Sequence, residues 1–204
     1  NSVDLVTGMA LEPTGPDTFV VGGMAVVSDD GSLSGDGGGV HAYMVRANAL
    51  YGTVQYCVQY RSNSSASTER RTLRSLHSVT TSVSRGVVLS GAHAYLIVDR
   101  TEHVANAINT SLSVLMTSVD SGAIVKQVHI HSPSNPTVRC TDIVSTGTHL
   151  AIVCTVNHVN TSNTLESLVF SVDRELSFSI LPAGYSVSRV SLFRAEMVSF
   201  KRTM

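Results

Sequence analysis

VVLSGAHAYLIV, residues 87–98, and IVSTGTHLAIVC, residues 143–154, share one pattern: an apolar pair, two residues of which the second is Ser or Thr, Gly, any residue, His, then an apolar run. Gly91 lies over Gly147 and His93 over His149. Farther along the chain, LSVLMTSVD (112–120) lies over LESLVFSVD (165–173), and both close on Ser-Val-Asp. A period of about 50–56 residues is the signature of stacked, repeated units.

Within each unit short apolar runs alternate with polar turns, a strand pattern rather than a helical one. The second unit predicts strands over 85–90, 93–99, 112–119 and 123–130, and the third over 138–144, 149–156, 165–172 and 175–181. Ser90-Gly91-Ala92, Asp120-Ser121-Gly122, Ser145-Thr146-Gly147 and Asp173-Arg174-Glu175 separate them, with Gly, Asp and Ser supplying turn chemistry. Four antiparallel strands in this length make one blade of a β-propeller. The expected fold is therefore all-β, with blades at 4–60, 82–130 and 137–181 and an incomplete fourth at 186–204, where SVSRVSLF echoes SVSRGVVL.

GMALEPTGPDTFVVGG followed by HAYMVRAN resembles a bacterial-type β-propeller repeat, and VDSGAIV (119–125) is similar to the closing hairpin of quinoprotein-like or WD-type blades. The chain has no Trp, so the Trp-Asp dipeptide and the Trp docking motif of those blades are absent. Propellers close with roughly four to eight blades, because each blade needs neighbours on both faces. Three and a fraction blades are therefore expected to belong to a larger propeller; completion by another chain is the alternative.

Hydrophobic residues make up 43 % of the 204, enough for a core, while charged residues make up only 14 % with a net charge of −1. That balance gives no reason to expect a nucleic-acid or anionic-membrane partner. No apolar run is long enough to span a membrane as a helix. Ser and Thr are about a quarter of the chain. The one basic cluster, Arg70, Arg71 and Arg74, reads as a solvated turn.

Cys140 and Cys154 fall nearly opposite one another if the third unit's first two strands form a hairpin, which admits a disulfide or two buried thiols. Cys57 has no evident mate. Asn63, Asn109 and Asn160 head glycosylation sequons, expected in loops, so a secreted protein would carry glycans there. His129 and His131 share one face of a strand and form a metal-ligand pair, which His103 or Asp142 could complete; a polar strand face is the plainer reading. Asp29, Asp30 and Asp36 lie in a glycine-rich loop that offers oxygen ligands to a hard cation, without the order of residues in a calcium-binding loop.

Leu33 stands where a nucleophile elbow needs serine, and no phosphate-binding loop, His-Glu-x-x-His or Cys-x-x-Cys occurs. No catalytic residues and no cofactor beyond N-linked glycans are expected. The sequence thus points to an extracellular or cell-surface glycoprotein, a structural or interaction module whose partners are other proteins or glycans, including itself. A propeller enzyme with active residues outside this stretch (a hydrolase, a lyase or a quinoprotein-like dehydrogenase) and an intracellular WD-like scaffold are the alternatives.

Overall fold

Gly91 and Gly147 take the same left-handed backbone, with φ of 61° and 92°, each turning the chain into the strand that begins at the following His. The computed structural model describes residues 3–11, 17–27, 39–62, 77–104, 107–131, 137–157 and 165–198, and among these it is all-β. β1 (Val3–Leu11), β2 (Thr18–Val27), β3 (Gly39–Asn48) and β4 (Thr53–Ser62) form a first antiparallel meander. β5 (His77–Ser90), β6 (His93–Val104), β7 (Ala107–Ser118) and β8 (Ile124–His131) form a second. β9 (Thr137–Ser145), β10 (His149–Asn157), β11 (Leu165–Asp173) and the short β12 (Phe178–Ile180) form a third.

The second sheet sits between the other two. Along β6, Ala94, Leu96 and Val98 face the first sheet, where they meet Met44, Val58 and Tyr60; Tyr95 and Ile97 face the third, where they meet Ile152, Phe170 and Val172. Successive strand residues point to opposite faces, so a strand covered on both sides is mostly apolar, and the polar side chains it buries (Ser113, Thr117 and His129) are hydrogen-bonded. This is why AYLIV and LSVLM carry almost no charge. Burial of each large side chain stabilises the stack by about 1.5–3 kcal/mol.

The leading strands meet at small residues. A Cβ on Gly8 of β1 would stand 3.0 Å from the Val87 nitrogen in β5, and one on Gly86 would stand 3.2 Å from a methyl of Ile143 in β9. Hydroxyls join the sheets at their turns. Tyr56 and Tyr60 of β4 donate to the carbonyls of Val119 and Gly122 between β7 and β8, at 2.6 and 2.9 Å. Tyr95 of β6 donates to the Arg174 carbonyl between β11 and β12 at 2.8 Å. In each junction the closing turn of one sheet is held by a tyrosine of the sheet before it.

The residues after 186 depart from the expected incomplete fourth blade. β13 (Ser186–Ser188) pairs with the outer edge of β8, and β14 (Phe193–Met197) with the outer edge of β4. With three and five residues, neither can hold a separate sheet. Each instead gains its hydrogen bonds as a fifth strand on an existing sheet. The sheet orders are β1-β2-β3-β4-β14, β13-β8-β7-β6-β5 and β12-β11-β10-β9.

Candidate functional site

β8 carries Gln127, His129 and His131 at alternate positions, so all three share the face over which the β13–β14 segment passes. The Gln127 side chain accepts from the backbone N–H groups of Leu192 and Phe193, both at 2.9 Å, and donates to the Phe193 carbonyl at 3.1 Å. One primary amide thus replaces the strand partner that the edge of β14 lacks at this point. His129 is fully buried, with Nε2 2.7 Å from the Val190 carbonyl and Nδ1 2.6 Å from the Ser113 hydroxyl. A carbonyl only accepts, so Nε2 carries the proton and Nδ1 accepts from Ser113. Phe193 stacks on the imidazole at 6.3 Å between ring centroids. Burial pushes the His129 pKa below the ordinary histidine value; the Val190 carbonyl opposes this, while His131 and Arg100 add to it.

His131 Nε2 lies 2.8 Å from the Ser188 hydroxyl, and its ring centroid is 6.4 Å from that of His129. Both nitrogens of His129 are committed to protein partners, so it offers no lone pair to the metal for which the pair was a candidate. Among the described residues, no group of three His, Cys, Asp or Glu side chains could hold a metal ion. Asp142 instead accepts from the Ile143 N–H at 2.8 Å. Ser113 and His129 form a serine–histidine hydrogen bond, but both side chains are wholly enclosed and no substrate can reach them.

A groove of about 460 Å³ opens beside this clasp, between β8 and β14. Ile124, Val125, Lys126 and Gln127 form one wall, Phe193, Arg194 and Ala195 the other, and Arg189 and Ser191 close an end. All its charged lining residues are cations. The Lys126 ammonium donates to the Glu175 carbonyl. Arg194 Nε reaches Glu196 at 2.8 Å, and the same carboxylate accepts from Arg61 at 2.8 Å.

The remaining sequence candidates lie apart from the groove. Cys140 and Cys154 are direct register partners across β9 and β10 and are joined by a disulfide, while Cys57 keeps its thiol, buried in β4. Asn109 lies not in a loop but in β7, opposite Glu102 of β6, because the β6–β7 hairpin runs farther than its polar sequence suggests. Asn63, Asn160, Asp29, Asp30, Asp36, Arg70, Arg71 and Arg74 lie outside the described residues. No helix among the described residues is long and apolar enough to cross a membrane. The role of Gln127 and the groove are not legible in the sequence, since Lys126, Arg189 and Arg194 come together only when β14 joins the first sheet. The one legible signal was the alternation in Gln-Val-His-Ile-His, which places Gln127 on the histidine face. Compared with known proteins, the chain matches no family model, no curated protein and no solved structure.

Proposed function

We propose that the three sheets are successive blades of a β-propeller and that the chain is an extracellular or cell-surface glycoprotein acting as an interaction module. It assembles with other proteins or glycans through its rims and open sheet faces. The observation that carries this reading is the unequal covering of the sheets. The second sheet is buried on both faces, whereas the outer face of the third presents Val144 and Val169 at 48 % and 57 % exposure. Apolar side chains on a sheet face are best satisfied by another sheet packed against them. The Cys140–Cys154 disulfide supports an oxidising compartment.

Light scattering of the full chain, alone and as the Val144→Glu/Val169→Glu variant, tests the assembly. The expected outcome is concentration-dependent association of the parent protein that the variant loses while keeping its β-sheet circular dichroism. A parent that stays monomeric at high concentration contradicts it.

A further inference from the structure

We propose that the groove between β8 and β14 is a docking site for an acidic segment of a partner protein, bound in extended form by strand pairing along the open edge of β8. This rests on the interaction-module reading and names a partner for it.

The first observation is the state of the two edges. β13 covers the outer edge of β8 only at His129, Ile130 and His131. Over Ile124–Val128 no described strand pairs with that edge, and none pairs with the outer edge of β14. Alternate backbone N–H and C=O groups of an edge strand point outward and form a template for another strand. Gln127 already fills the place of such a strand at Phe193, where it satisfies both the N–H and the C=O. A peptide continuing the line of β13 along β8 would extend the same pattern into the groove.

The second observation is charge. Lys126, Arg189 and Arg194 line the groove with no acidic residue among them; Lys126 is anchored on the Glu175 carbonyl and Arg194 on Glu196, so Arg189 is the cation that presents its charge most openly. The nearby carboxylate of Glu196 is held between Arg61 and Arg194. Arg189 is exposed, and Val125, also in the lining, is 54 % exposed. A strand edge flanked by cations selects acidic side chains and repels basic ones. Phe193, the one aromatic residue of the lining, is 2 % exposed and offers no ring face to a sugar. The combination therefore favours a peptide backbone over a glycan.

The test is fluorescence anisotropy of a fluorescein-labelled octapeptide of alternating Glu and Thr, titrated with the full chain. The comparators are a Lys-Thr octapeptide, the acidic peptide N-methylated at its odd or at its even positions, and a labelled sulfated octasaccharide. The acidic peptide is expected to bind, to weaken with added salt, and to bind roughly fivefold more weakly to the Arg189→Glu variant, the scale of one exposed charge reversal. One of the two N-methylated series should lose roughly tenfold or more, as expected when main-chain hydrogen bonds carry the affinity. Equal binding of both N-methylated peptides overturns the strand pairing. Binding of the octasaccharide without the peptide overturns the choice of partner, and absence of any peptide binding overturns the site. Because this assay reads a rim groove, its failure is distinguishable from a failure of sheet-face association by light scattering.

Discussion

His129 gains its place from geometry and gives up basicity for it. Its imidazole joins β7, through Ser113, to the segment between β13 and β14, through Val190, and burial holds its pKa below the usual value of about 6.5. The unfolded chain takes up this proton as pH falls through about 6.5, while the folded chain resists it. The stabilisation is therefore complete above that pH and declines as pH falls toward the folded value. Urea midpoints at pH 7.5 and 5.5 should differ for the parent protein, and His129→Gln should narrow the difference; an unchanged difference contradicts the assignment. Gly122 is a second sensitive residue. Its φ is 71°, and an added Cβ would lie 2.6 Å from a methyl of Val58. Gly122→Ala should lower stability by about 1–3 kcal/mol in denaturant melts, through backbone strain and overpacking together.

At the scale of elements, the β13–β14 segment depends on β8 side chains. Gln127→Ala removes three hydrogen bonds to Leu192 and Phe193, and the loss should be about 1–3 kcal/mol. Hydrogen exchange should then speed at the amides of Leu192 and Phe193 while those of β6 and β10 stay protected; uniform protection throughout contradicts the clasp. The elements divide by what the sequence could reveal. β6 and β10 were legible because a glycine turn, a histidine and an apolar run recur at the repeat spacing, and the facing of Cys140 and Cys154 followed from that hairpin. The far end of the β6–β7 hairpin was not, because the sequence of 101–109 carries little of the apolar alternation that marks a strand. β13 and β14 depart from the expected fourth blade for a different reason. The run 186–193, which holds β13 and the first residue of β14, repeats the pattern of 82–89, but strands of three and five residues take the partner that surrounding side chains offer. The groove was hidden for the same cause, its three cations being spread from Lys126 to Arg194.

For the whole molecule, the stack explains the composition. A middle sheet covered on both sides needs predominantly apolar strands, and the tyrosine contacts from Tyr56, Tyr60 and Tyr95 set each sheet against the next. The outer face of the third sheet lacks such cover among the described residues, and assembly is proposed to occur there. That assembly is proposed to occur outside the cell. The most direct test is the intact mass of the protein from its native source, unreduced, before and after removal of N-linked glycans, with thiols counted after unfolding. The mass is expected to fall on glycan removal, with Cys140 and Cys154 unreactive to alkylation until reduced. An unchanged mass with both cysteines reactive before reduction would contradict the extracellular module and favour an intracellular scaffold.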